Sequence, residues 1–192
     1  MLTISIIIFF TGLIIGSFLN VVIYRVPKDI SIISPASHCP ECGTRLGPMD
    51  LVPVLSFFLF RGRCRYCDSN ISWQYPTVEF LTGVLYFITY VKFGLSIKTI
   101  IYIALISALI VCSFIDHKYK IIPNKITYPG IIIGLILSLI FDHIAFISAL
   151  LGLVIPSGLL LLIALIFKGG MGIGDIKLIG MIGTLLGFGD AL

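Results

Sequence analysis

Leu2–Tyr24 reads LTISIIIFFTGLIIGSFLNVVIY and contains no charged residue. A helix needs about 20 apolar residues to cross a bilayer, and this run supplies them. A cleaved secretory signal fits poorly, because no basic segment precedes the run and no small-residue cleavage site follows it. The reading is a retained transmembrane helix. Gly12 and Gly16 stand four apart in it, a spacing that lets a second helix approach closely. The whole chain agrees with its opening. Of 192 residues, 58% are hydrophobic and 11% charged, with a mean hydropathy of +1.14. A soluble domain carries about 25% charged residues. That deficit excludes a soluble globular protein and a disordered chain. The net charge of +4, without a long basic run, excludes a nucleic-acid-binding domain.

Working outward, a polar stretch extends from Arg25 to Pro76, and five more apolar runs follow. They cover about Thr77–Tyr90, Ile97–Ile115, Ile126–Phe141, Ile144–Phe167, and Ile176 to the last residue, Leu192. The fold class expected is an all-α polytopic membrane protein with about six transmembrane helices, the sixth still apolar where the chain ends. Three parts follow: a first helix at 1–26, a polar loop domain at 27–76, and a multi-helix membrane domain at 77–192. Alternating the spans puts Arg25, Lys28, Arg45, Arg61, Arg63, Arg65, Lys118, Lys120, Lys125, Lys168 and Lys177 on one side. That is 11 of the 13 basic residues; only Lys92 and Lys98 fall opposite. The positive-inside rule makes the rich side cytoplasmic and the N-terminus external. Trp73 and Tyr75, just ahead of the second span, read as an interfacial aromatic belt.

The polar loop holds Cys39-Pro40-Glu41-Cys42 and Cys64-Arg65-Tyr66-Cys67, with 21 residues between the pairs. Each CxxC grips one side of a tetrahedral ion through two thiolates, and the intervening segment folds back to deliver the second pair. A structural zinc on Cys39, Cys42, Cys64 and Cys67 is the favoured reading, ahead of redox or free thiols. A reducing cytoplasm disfavours disulfides there. Four thiolates close the shell, so the ion folds the loop and does no chemistry. His38 reads as a loop residue and Cys112, in the third span, as a small buried hydrophobe.

Acids at a membrane boundary are costly and are candidates for function. Asp116 ends the third span and Asp175 begins the sixth. Two crossings separate them, so both lie at the same face. Carboxylates brought close share a proton, which suits water activation by one and carbonyl polarisation by the other. Gly172 and Gly174 leave space beside Asp175. The competing reading makes either acid a helix cap or a partner of Lys118 or Lys177. Gly169–Gly174 is no phosphate loop, because it lacks the GK[ST] ending and a preceding strand. Asp142 and Asp190 belong to the opposite side.

Together these stretches resemble the bacterial type 4 prepilin peptidases, or leader peptidases, which are GxGD-type membrane aspartic proteases. Gly16-Ser17-Phe18-Leu19-Asn20 through Arg25-Val26-Pro27 resembles the family's first-helix signature. His38–Cys42 and Arg61–Cys67 resemble its cytoplasmic cysteine domain, and Asp50–Ser56 between them fits it too. Tyr75-Pro76-Thr77-Val78-Glu79 resembles the entry to the second helix. Asp116 with Ile122-Pro123-Asn124 resembles the first catalytic motif, and Gly172-Ile173-Gly174-Asp175-Ile176-Lys177 the second. The matches come in the family's order over nearly the whole chain. The resemblance implies Asp116 and Asp175 as the catalytic pair, with Gly172, Gly174 and Lys177 near the substrate. It implies an enzyme of the bacterial cytoplasmic membrane that removes basic leaders from type 4 prepilins or pseudopilins at the cytoplasmic face. Many members then methylate the new N-terminus with S-adenosylmethionine. It also implies about two further helices after the GxGD motif. The alternatives are a related membrane aspartyl protease with another substrate, a non-catalytic zinc-stabilised adaptor, and a transporter. The last is disfavoured by the absence of an internal repeat among the spans.

Overall fold

A computed structural model describes residues 2–141, 144–167 and 172–189 of the chain. Lys168, Asp142, Asp190, Gly169 and Gly170, all weighed above, lie outside the described residues. The described residues form helices joined by loops. Long helices occupy all six apolar runs: α1 (Leu2–Arg25), α3 (Gln74–Phe93), α4 (Ile97–Tyr119), α5 (Asn124–Ile140), α6 (Phe146–Ile166) and α7 (Ile173–Leu186). A short helix, α2 (Leu55–Leu59), sits in the polar loop. Among the described residues, three segments are by length and composition able to cross a membrane: Leu2–Lys28, Ile97–Tyr119 and Phe146–Ile166. The last helix is shorter than its apolar run. It begins three residues before Ile176, which places Asp175 inside its first turn, and it stops at Gly187, where φ is +81°.

The chain divides into two units, residues 1–114 and 115–192, with the boundary inside α4. In the first unit α1 packs along α3 at its glycines. A Cβ on Gly12 would lie 2.7 Å from the Gly83 Cα, and one on Gly16 would lie 2.7 Å from the Glu79 Cα. Backbones meet there because no side chain intervenes. Asn20, fully buried, donates from Nδ2 to the carbonyls of Tyr75 (3.1 Å) and Gly16 (3.3 Å), so a polar group inside the pair is satisfied. Arg25, also buried, donates to the carbonyls of Ser31 (2.9 Å) and Pro35 (2.7 Å) and folds the start of the polar loop back onto the helix end. The α3–α4 contact is made by the Tyr86 and Ser107 hydroxyls at 2.6 Å and by Phe93 stacked on Tyr102.

In the second unit α7 lies between α5 and α6. Gly134 of α5 faces Thr184, and Gly152 of α6 meets the backbone of Gly183. Thr127, Thr184 and Met181 are fully buried at these crossings. Small residues on both partners carry this packing, as expected where lipid removes the hydrophobic drive between helices.

Candidate active site and cysteine centre

Asp116 occupies the last turn of α4 and is half-buried. The helix closes with the Lys120 N–H donating to the Asp116 carbonyl at 2.8 Å, and Lys120 takes φ +56° to turn the chain. Ile121, Ile122 and Pro123 then lead into α5 at Asn124. Asp175 sits on the third residue of α7, exposed, where its Oδ2 accepts the Gly172 N–H at 3.3 Å. A carboxylate there satisfies a free helix donor and meets the positive end of the helix dipole. The cap reading of Asp175 is thus realised, through one oxygen.

Two contacts bind the two motifs together. Gly174 faces Ile122: a Cβ on it would lie 2.9 Å from the Ile122 Cβ. The space at Gly174 is therefore taken by the segment that follows Asp116. Lys177 donates from Nζ to the Asn124 Oδ1 at 3.0 Å, and its ammonium lies 4.9 Å above the Tyr128 ring. Lys177 thus reaches across to α5 instead of back to its own aspartate. Asp116, Asp175 and the Ile122–Asn124 segment share one unit. Gly172 is exposed beside Asp175. Asn124 as the partner of Lys177 was not singled out from sequence as a site residue; the Ile-Pro-Asn string was its only signal.

In the first unit the four cysteine sulfurs converge. Each offers an Sγ, and all lie within 4.8 Å of one another, with Cys39 and Cys67 3.9 Å apart. Zn–S bonds of about 2.3 Å in a tetrahedron put sulfurs about 3.8 Å apart, so the donor set fits zinc. Cys39 and Cys64 are buried, Cys42 and Cys67 exposed, and all are free thiols. His38 turns its Nδ1 to the Ala36 carbonyl at 3.0 Å and stays out of the cluster.

The centre is built from one motif used twice. The Cys39 N–H donates to Thr44 at 3.0 Å and the Gly43 N–H to Cys39 at 2.9 Å; the Cys64 N–H donates to Ser69 at 2.8 Å and the Asp68 N–H to Cys64 at 2.9 Å. Bridges His38–Arg45 and Arg63–Asn70 close the two turns. The residue after the second cysteine has positive φ in both, +70° at Gly43 and +57° at Asp68, a conformation that glycine and aspartate tolerate. The pattern Cys-x-x-Cys-Gly-Thr against Cys-x-x-Cys-Asp-Ser was the available sequence signal for this repeat. Burial raises the Cys39 thiol, but N–H groups of Cys42 and Glu41, with Ser69 and Cys64, outweigh it and bring its pKa down to about 6. The Ser69 hydroxyl and N–H hold Cys67 below its ordinary value. Cys64 receives the Tyr66 N–H, yet burial and its sulfur neighbours leave it above its ordinary value. A crowded set of sulfurs, some favoured as thiolate and some not, is what a cation would resolve.

One carboxylate ties this loop to the helices. Glu79, buried in α3, accepts the Val54 N–H on Oε2 at 2.7 Å. Val54 has φ +61°, an outlying conformation for a β-branched residue, and the Glu79 bond holds it.

Fold and site together define a helical membrane protein with a four-cysteine module and two acidic motifs packed on each other. Residues 10–93 match the family model described as the bacterial peptidase A24 N-terminal domain, and residues 103–192 match that of the type IV leader peptidase family. The chain is 39% identical over 189 residues to a prepilin leader peptidase/N-methyltransferase of Myxococcus xanthus, covering 95% of this chain and 56% of the relative. It is 38% identical over 181 residues to the protein of that name from Bacillus subtilis, covering 94% and 73%. The Neisseria gonorrhoeae protein of that name is 35% identical over 205 residues, covering 92% and 72%. The chain thus spans little more than half of the first relative and nearly three quarters of the other two. No solved structure matches it. The chain belongs to the type IV leader peptidase family.

Proposed function

We propose that this chain is a membrane aspartic endopeptidase that removes the leader from type 4 prepilins or pseudopilins, and that the new N-terminus is then methylated with S-adenosylmethionine. Family membership and the relatives' shared name support both activities. The observation that carries the peptidase reading is the packing of Ile122 and Asn124, which follow Asp116, onto Gly174 and Lys177, which flank Asp175. In the proposed reaction one carboxylate, ionised, takes a proton from water, and the other, protonated, donates to the scissile carbonyl oxygen. The tetrahedral intermediate then collapses as the leaving amine gains a proton. Lys177 and Asn124 act as positioning residues for the Asp175 turn. Gly172, exposed at that turn, leaves room for the substrate backbone.

Cys39, Cys42, Cys64 and Cys67 would hold one structural zinc, which supplies folding energy to a loop with little core. The basic side faces the cytoplasm of a bacterial inner membrane, with the N-terminus outside. The test is co-expression with a prepilin and mass spectrometry of its new N-terminus, which reads cleavage and methylation together. Asp116→Asn and Asp175→Asn should leave the precursor whole while the enzyme inserts normally. Asn at 175 keeps a carbonyl oxygen for the Gly172 N–H, so its loss of activity reports chemistry rather than capping. Full cleavage by either variant overturns the assignment.

A further inference from the structure

The short helix α2 carries side chains that an aqueous loop does not need. Leu55, Phe58 and Leu59 are 59%, 59% and 71% exposed, and Met49, Leu51 and Val52 beside them are exposed as well. Their depth is set by two fastenings to α3. The Phe57 and Phe58 rings lie 4.7 and 6.2 Å from Trp73, the residue immediately before α3. Val54, immediately before α2, is held by Glu79. Glu79 is six residues beyond Trp73, which at 1.5 Å per residue is about 9 Å along the helix. The segment therefore sits beside the first turns of α3, not above them, and α3 packs backbone to backbone along α1, a helix long and apolar enough to cross a membrane. Its backbone suits that depth: Val54 is satisfied by Glu79, and the Gly62 and Arg61 N–H groups donate to Phe57 (2.7 Å) and Phe58 (3.2 Å).

Charge changes abruptly where the chain leaves this segment. Arg61, Arg63 and Arg65 follow within five residues, all exposed, with Asp68 the one acid between α2 and Trp73. A groove of about 580 Å³ is lined by residues of both zones, the apolar Phe57, Phe58, Ile71 and Trp73 together with Arg61 and Asn70. Apolar side chains and a guanidinium in one groove suit an anionic amphiphile.

We propose that residues 51–60 form a wedge buried at the headgroup–acyl boundary of the leaflet, with Arg61, Arg63 and Arg65 on the phosphates of anionic phospholipids. The continuity with α3 and the charge step commit the occupant to lipid rather than to protein. The cysteine module is then held on the membrane surface by its own loop. This inference does not depend on the peptidase chemistry, and its test uses no substrate.

The chain has one tryptophan, so Trp73→Phe gives a silent background in which Leu59→Trp and, as a reference on the cysteine turn, Glu41→Trp report singly. The full protein is reconstituted in phosphatidylglycerol–phosphatidylethanolamine vesicles bearing bromine at different acyl depths. Leu59→Trp should be quenched severalfold more by shallow bromine than by deep bromine, and severalfold less by acrylamide than Glu41→Trp. Replacing Arg61, Arg63 and Arg65 with Gln should weaken the bromine quenching, as should phosphatidylcholine vesicles. Acrylamide access equal to that of Glu41→Trp, or protection that arises only on adding a prepilin or at high protein density, overturns the proposal. Phe58→Trp repeats the measurement on the adjacent side chain.

Discussion

Lys177 places its ammonium on the side-chain amide oxygen of Asn124, 3.0 Å away, and this bond joins the helix of Asp175 to the helix that follows Asp116. A hydrogen bond to a charged group contributes about 1.5–3 kcal/mol, so Lys177→Met and Asn124→Ala should each slow leader cleavage by about one to two orders of magnitude. Because the two residues act as a unit, the double variant should be scarcely worse than either single one; additive losses in single-turnover assays would show that they act apart. A second residue offers a pH signature. The Tyr66 hydroxyl donates to the Asp50 Oδ2 at 3.1 Å, and this bond, then burial and the charge of Asp50, raise the phenol above its ordinary value. A raised pKa stabilises the fold below the ordinary value near 10 and is lost as pH rises through the raised one. Phenolate absorbance should therefore show a late-titrating component equivalent to one tyrosine that is lost in Tyr66→Phe and returns toward the ordinary value in Asp50→Asn. The two aspartates were legible as residues from the spacing of the spans. Asn124 was not, since nothing in its position announces which lysine it will receive.

At the scale of elements, α1 and α3 depend on bare backbone where they cross. Gly16→Leu would drive its Cβ toward the Glu79 Cα, 2.7 Å away, where neither chain has a flexible group to yield. Overpacking of this kind costs about 1–3 kcal/mol, and the thermal midpoint in detergent should fall, with less protein in the membrane. Ile14→Leu, on the exposed face of the same helix, should leave both unchanged. The two cysteine turns form an element of their own. Cys39→Ser should remove the zinc expected at one ion per chain, read by metal analysis of purified protein, whereas Cys112→Ser, outside the cluster, should retain it. Purified protein that cleaves without metal would defeat the structural role. GxxxG in α1 and the paired CxxC motifs announced both elements; the short α2 stayed hidden because five residues are too few to show a period.

At the scale of the molecule, the cysteine module and the two acidic motifs fall in different units of the chain, residues 1–114 and 115–192. Chelation should therefore loosen the first without dismantling the second. Chelation should raise tryptic cutting at Arg45, Arg61, Arg63 and Arg65 of the first unit and leave cutting at the exposed Lys118, Lys120 and Lys125 of the second unchanged; an equal rise at both sets would contradict this division. Composition and the six apolar runs by themselves determined an all-helical membrane protein, because hydrocarbon leaves a backbone few ways to satisfy its polar groups. The spacing of the cysteines likewise determined a cluster of four sulfurs, since two short CxxC turns already carry most of the geometry a metal would need. Helix ends were set only by tertiary structure: α7 begins early enough to draw Asp175 into its first turn and stops at Gly187 although the sequence remains apolar. The partners of Glu79, Lys177 and Gly174 were also decided there. Each is a contact between segments distant in the chain, chosen by which helices pack side by side, and helical periodicity records only that a face is apolar, not which neighbour covers it.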